Sequence, residues 1–470
     1  MRTKIYFDDS TKMLLLLLLV FQLFFSNGIL LFIGMALFFI LVNNLQQPYK
    51  PSVFSIILLY HFIQISAGIW QCNYLGVDIN YRAINTYYAI LISYIGLLFL
   101  FLPIIYYQNK IPALTKETLL KHANKLSLDK TFKVYVISFF IMNALTGIAF
   151  LLPTITQIIF SLGNIKWFMF VLFGLQSILK NRKRKAFYIF CALEFVMGFY
   201  SYFSEFKTVV FFIFFIALLM LTIVKFNKLI IASISIVAVI FAGIFWTSVK
   251  NEYRIFLNKG SKTQSVQVDK ADALNKLVEL SEKQDESSFQ KSTADFLDRI
   301  QYTYHLAKAL DRVPAVIPYQ NGDNWKKTLA FVLMPRLLDA NKGIYDASVK
   351  ASKYTGIQYQ GVKRGTSVSL GYFADCYIDF GYVGMFIPLI ILGFIYGSTY
   401  FYFVRKSSNN FVFNFAVVAS IYMELFAFES DSIFVAGRLY VNLIVFFILS
   451  KTLFPRLINY LSIPVKAIVE

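Results

Sequence analysis

Apolar runs of about the length of a membrane span follow one another through most of this chain, and one long polar stretch, residues 250–371, interrupts them. The first run covers residues 13–42. At 1.5 Å per residue it would extend about 45 Å, too long for one crossing and short for two. Ser26-Asn27-Gly28 breaks it, so a tight helical hairpin is expected. No small-x-small cleavage site follows the apolar core, which favours a retained anchor over a cleaved signal peptide. Further spans are expected near 52–70, 83–107, 134–152, 167–179, 186–202, 208–224 and 229–246. The short apolar run 155–162 reads as an interfacial segment ahead of the sixth span. Beyond the polar stretch come runs near 379–403, 412–428 and 433–454. The predicted fold is an all-α polytopic membrane protein of about twelve transmembrane helices, with one long extracytoplasmic loop between the ninth and tenth. It divides into a bundle over 1–247, the loop over 248–370 and C-terminal helices over 371–470.

Within the loop, residues 258–290 are polar and read as a mobile insert around a weak helix at 271–282. Ser292-x-x-Asp295 fits a helix-start capping box. Phe296, Ile300, Tyr304, Ala307 and Leu310 recur at helical spacing, which predicts one amphipathic helix. Arg299 falls at the edge of its apolar face, and His305 on the opposite, solvated side. Further on, Tyr372, Asp375, Asp379 and Tyr382 share a helix face at the start of the tenth span. Two carboxylates there require a wet cavity or cationic partners, for which the external arginines are candidates. Gly393-x-x-x-Gly397 predicts a close helix-packing contact.

Composition bears this out. The 470 residues are 58% hydrophobic and 18% aromatic with only 15% charged, more apolar surface than a soluble domain of this length can bury. A transmembrane barrel would alternate every second residue, and these runs are apolar throughout. Three cysteines and three histidines are too scattered for a disulfide framework or a Cys/His metal site, so no metal is expected, and with no Rossmann pocket visible no cofactor is expected either. The net charge of +19 belongs to lysine- and arginine-rich loops beside anionic lipid, not to nucleic-acid binding. With twelve spans and the N-terminus inside, the basic segments 108–133, 180–185, 225–228, 405–406 and 451–466 all fall on the cytoplasmic side. The long loop then lies outside and both termini lie in the cytoplasm.

Several stretches resemble, in order and spacing, the bacterial oligosaccharide repeat-unit polymerases, the O-antigen polymerases of the Wzy type. These are Phe296-Leu297-Asp298-Arg299, the turn at Asn321-Gly322, Met334-Pro335-Arg336 with Lys342, and the segment from Gly371 to Gly384 with Asp375 ahead of Asp379-Phe380-Gly381. Ser204-Glu205-Phe206-Lys207 ahead of a span also fits. Asp375 stands where the family usually has Glu, and Asn341-Lys342-Gly343 lacks the Lys-Pro often found there. The resemblance implies a glycosyltransferase in the bacterial cytoplasmic membrane that works without a nucleotide sugar. Such an enzyme moves a growing glycan from one polyprenyl-pyrophosphate carrier onto a carrier-linked repeat unit at the outer face. It implies lipid-pyrophosphate-linked oligosaccharides and membrane lipid as partners, with a chain-length regulator as a further candidate. Arg299, Arg336, Arg364, Lys342 and Lys207 become candidates for holding pyrophosphate, since cations, above all arginine's planar fork, suit its oxygens. Asp375, Asp379 and His305 become candidates for the general base. An O-antigen ligase, and a flippase or exporter without chemistry, are the alternatives.

Overall fold

The computed structural model describes residues 6–149, 152, 154–199, 206–260, 266–334, 339, 342–343, 345–361, 367–423 and 428–464. It is an all-α protein in which Tyr6–Phe7 (β1) and Ile223–Val224 (β2) form a short parallel pair. The chain opens with α1 (Asp9–Phe21) and α2 (Gly28–Leu45), separated at Asn27, whose φ is 62°. Asp8 N donates to Val224 O, and Gln46 Nε2 to Leu218 O at 2.8 Å. Both ends of the pair therefore meet the same stretch of chain, as the expected hairpin requires.

The bundle continues with α3 (Val53–Leu75), α4 (Thr86–Asn109), the short α5 (Lys116–Asn124), α6 (Leu128–Ile148), α7 (Thr156–Leu179), α8 (Arg184–Phe199), α9 (Phe206–Leu219) and α10 (Phe226–Leu257). The polar stretch holds α11 (Lys270–Glu282), α12 (Glu286–Ile300), α13 (Thr303–Arg312), α14 (Asp323–Leu333) and α15 (Ala347–Thr355). Then come α16 (Tyr372–Gly384), α17 (Phe386–Lys406), α18 (Phe411–Tyr422), α19 (Ser432–Lys451) and α20 (Leu453–Leu461). Among the described residues, seven helices, α2, α3, α4, α7, α10, α17 and α19, are long and apolar enough to cross a membrane; α9 and α18 are apolar but shorter. Leu16, Leu17 and Phe24 at the first hairpin, and Ile231, Ile234, Val237 and Phe241 on α10, lie exposed on the outer surface. An apolar patch of that kind suits lipid rather than water.

Two ends of the bundle can be told apart by their bonds. At one, Gln47 Nε2 meets Asn109 Oδ1 at 3.0 Å and Tyr49 N meets Leu219 O at 2.9 Å. At this end too, Lys180 Nζ meets Leu126 O at 2.6 Å, Asn410 Nδ2 meets His122 O at 2.7 Å and Ser127 N meets Leu461 O at 2.7 Å. The basic segments that follow α4, α7, α9, α17 and α19 are thus gathered together. At the other end Gln71 and Arg82 both reach Asp298, and Asn85 Nδ2 reaches Asp311 Oδ1 at 2.9 Å. The polar stretch caps this second end. Between the two ends α4 packs extensively against α17. A Cβ on Gly393 would strike the Leu100 carbonyl, and one on Gly397 would lie 2.7 Å from the Tyr107 ring, so the glycine pair does set a close packing contact.

Four expectations need correction. The run 155–162 is no separate interfacial segment, because α7 is one continuous helix. Its polar residues are accommodated inside the bundle: Lys166 Nζ lies 3.0 Å from Glu194 Oε2 on α8 and 3.1 Å from Asn143 Oδ1 on α6. The amphipathic helix from Ser292 is two helices. The first starts at Glu286, where the Asp285 carboxylate accepts from Ser288 N at 2.8 Å, and Ser292 is buried inside it. It ends at Ile300 because the chain turns to let Tyr302 N donate to Gln64 O across the bundle. In the insert at 258–290 the described helix α11 is docked rather than loose: its Ala273 and Leu280 pack with Trp246, Tyr253 and Leu257 of α10. Finally, the backbone breaks at Gly381 (φ 70°, ψ −168°), so Asp375 and Asp379 sit on α16 ahead of the spanning helix, and Tyr382 lies beyond the break.

Candidate functional site

Asp375 and Asp379 are both fully buried, and both are fully engaged. Lys350 Nζ on α15 lies 2.6 Å from Asp375 Oδ1 and 3.0 Å from Asp431 Oδ2. Ser432 donates to Asp375 Oδ2 from N at 2.9 Å and from Oγ at 2.6 Å. Asp431 also accepts from Leu370 N and from the Tyr345 hydroxyl, each at 2.8 Å. Burial alone would lower the Lys350 pKa, but the two carboxylates outweigh it and raise it, so the lysine stays charged. The cation expected beside Asp375 is therefore a lysine, where arginines were anticipated. Asp379 caps α14: its Oδ1 accepts from Asn324 Nδ2 at 2.8 Å and its Oδ2 from Trp325 N at 2.9 Å. That is a carboxylate at the positive end of a helix dipole.

His305 is not on a solvated face. It stacks on Tyr302 with ring centroids 4.6 Å apart and meets Tyr304 and Tyr359 at 5.5 Å and 5.8 Å. Burial, with Arg82 adding to it, pushes the imidazole pKa down to about 4. Lys342 donates to Met334 O at 2.6 Å and to Phe331 O, closing the C-terminal end of α14. Arg336 and Arg364 lie outside the described residues, as do Ser204 and Glu205.

The remaining two candidates do come together. Asp298, held by Gln71 and Arg82, fixes the end of α12, and the next residue, Arg299, turns about 100° away from it. Lys207, at the start of α9, lies within Coulombic reach of Arg299, Arg438 and Glu429. Lys250 on α10 lies within reach of Arg299 from the other side, together with Arg254 and Asp295. Tyr60 on α3 feels both Glu429 and Arg299. Among the described residues, no carboxylate forms a salt bridge with Lys207, Lys250, Arg299 or Arg438. Lys207, Arg299 and Arg438 are also solvent-reachable, and Lys207 is so although densely surrounded by protein. Lys207 thus lies recessed yet open to solvent, and the space beside it is the candidate chamber.

The helical rise gives its depth. At 1.5 Å per residue, Lys207 stands about 18 Å along α9 from Leu219, Gln64 about 17 Å along α3 from Val53, and Arg438 about 20 Å along α19 from Lys451. All three starting points belong to the basic end. Lys207, Gln64 and Arg438 therefore lie well away from the basic end, toward the end that the polar stretch caps. Cations gathered there without a salt bridge among the described residues suit an anion with several oxygens.

Sequence reasoning missed Lys250, Arg438 and Glu429. Lys250 ends an apolar run and reads as its flank. Arg438 lies inside the last apolar run, where an arginine at membrane depth was the available signal. Lys166 and Glu194 carried the same signal and prove to be a closed pair.

No curated protein and no solved structure matches the chain. A family model described as a domain of unknown function, DUF8712, matches residues 109–428, which takes in α5 through the turn ahead of α19 and includes Lys207, Lys250 and Arg299. The chain belongs to that family.

Proposed function

We propose that this protein is a glycosyltransferase that polymerises polyprenyl-pyrophosphate-linked oligosaccharide repeat units into a surface polysaccharide. The observation that carries the reading is the recessed chamber, where Lys207, Lys250, Arg299 and Arg438 converge without ion-pair partners among the described residues. In the reaction an acceptor hydroxyl oxygen attacks the anomeric carbon of the donor glycan, and the bond from that carbon to the pyrophosphate oxygen breaks. Negative charge develops on the departing lipid pyrophosphate, and fixed cations at that point lower the barrier. Two cations of the four are arginines, whose forked donors fit phosphate oxygens bidentately.

The membrane placement belongs to the same proposal. The basic end faces the cytoplasm and the capped end faces outward, with twelve crossings made by α1, α2, α3, α4, α6, α7, α8, α9, α10, α17, α18 and α19 of a bacterial cytoplasmic membrane. The gathering of the basic segments at one end supports this orientation. A cysteine placed at Ser287 should then react with an impermeant maleimide in intact cells, and one at Lys121 only after permeabilisation.

Glycan length on the carrier tests the function. Arg299→Ala should leave single repeat units on the carrier and abolish long chains; normal chain length in that variant contradicts the reading. Accumulation of long carrier-linked chains would instead identify a ligase. A transport reading has its own observation, the Lys166–Glu194 pair buried within the bundle. That pair is closed by the Tyr135 hydroxyl at 3.2 Å and by Asn143, which suits helix packing better than a moving charge.

A further inference from the structure

The three carboxylate and histidine candidates for the general base are spoken for, which leaves a question about the acceptor's proton. Asp375 has both oxygens bound, Asp379 caps α14, and His305 is walled in by tyrosines near Arg82. Among the described residues, the carboxylate within Coulombic reach of Lys207 is Glu429. Its Oε2 accepts from Gln64 Nε2, and no described residue hydrogen-bonds to its Oε1.

Its placement is fixed from both sides. Phe428 is buried against Phe373, with ring centroids 4.9 Å apart, and its carbonyl lies where Gly371 can carry no Cβ. Two residues after Glu429, the buried Asp431 is tied to Leu370, Tyr345 and Lys350. The turn between those anchors holds Glu429 toward the chamber, and Gln64 orients the carboxylate from α3. An oriented carboxylate with a vacant oxygen beside a site for a leaving anion is the arrangement a general base needs.

We infer that Glu429 is the catalytic base, taking the proton from the acceptor hydroxyl as that oxygen bonds to the donor's anomeric carbon. The electron pair of the broken bond leaves with the lipid pyrophosphate, which stays among Lys207, Lys250, Arg299 and Arg438. The groups within reach of Glu429 are Gln64 and Tyr60 from α3, Lys207 from α9 and Tyr302 from the turn before α13, and Lys207 in turn lies within reach of Arg299 on α12 and Arg438 on α19. The neighbouring His61 is committed to Ile57 O and the Tyr372 hydroxyl and is not a rival. This assignment rests on the proposed transferase reading.

The test uses full-length protein in detergent, with carrier-linked single units extracted from cells lacking the protein as substrate and farnesyl pyrophosphate as the binding probe. Glu429→Gln should bind the probe at least as tightly as wild type, and turn over on the order of 10²–10⁴-fold more slowly. The acid limb of the rate profile, present in wild type, should vanish in its residual activity. Glu429→Asp should keep the acid limb at a reduced rate, and it serves as the readout if the amide variant proves unstable. Wild-type turnover in Glu429→Gln, or loss of probe binding along with turnover, overturns the assignment. Wild-type protein that binds the probe but joins no sugars overturns the transferase reading instead.

Discussion

Two charged clusters stand close together at the capped end, and they are built on opposite rules. Around Lys350, one ammonium meets two carboxylates, and hydroxyl and backbone donors take up the remaining oxygens. Around Arg299, cations gather with one carboxylate close to Lys207 and no salt bridge among the described residues. The first cluster is complete as it stands and joins α15, α16 and the start of α19. On the proposed reading, the second is complete only when an anion enters. Buried charges that satisfy one another fix a structure; like charges held together store repulsion that a ligand can relieve. The clusters are also connected, because Asp431 anchors the turn that carries Glu429.

The sharpest way to break the comparison is to open the closed cluster. Lys350→Met strands two buried carboxylates and should cost ~3–5 kcal/mol, seen as loss of folded protein or a large fall in Tm in detergent. Adding Asp375→Asn and Asp431→Asn to that variant should restore part of the loss, since the uncompensated charge is removed with its partner.

In the chamber the effects should reverse. Lys207→Ala or Arg299→Ala should change stability by no more than about 1 kcal/mol, while each lowers polymerisation on the order of 10²–10³-fold. Arg299→Lys keeps the charge and loses the fork, so a smaller loss, about tenfold, is expected in the same assay. A large fall in Tm in the alanine variants would show that the chamber's cations also hold the fold, and would erase the distinction.

How far the sequence could be read follows the same division. The hairpin break at Asn27, the glycine contact of α17 with α4, and the gathering of basic segments were all legible, because each depends on local pattern or on charge counted along the chain. Arg299 and Lys207 were legible as candidates, but their meeting with Lys250 and Arg438 was not. These four residues come from α9, α10, α12 and α19, and nothing local encodes that contact. Asp375 and Asp379 misled for the opposite reason: their i, i+4 spacing is correct for one helix face, while their partners, Lys350 and the N-terminus of α14, lie on elements whose packing the spacing does not report. The single amphipathic helix failed because the bond from Tyr302 to Gln64 is tertiary.

The smallest effect concerns His305, which belongs to neither cluster. Its pKa in the fold, pushed down to about 4, lies below the value of about 6.5 for an unfolded chain. The unfolded state therefore takes up a proton that the fold refuses, and stability should decline as pH falls from about 6.5 toward about 4. His305→Phe should make the fall in Tm over that range shallower, and leave the acid limb assigned to Glu429 in place.

The most direct measurement is the binding of farnesyl pyrophosphate to full-length protein in detergent, followed by thermal shift at low and high salt. Wild-type protein should be stabilised in a saturable way, more weakly at high salt, and the Lys207→Ala, Arg299→Ala double variant should show no stabilisation while keeping its own Tm. Equal stabilisation of wild type and double variant, or none in either, would contradict the claim that this chamber exists to hold a pyrophosphate.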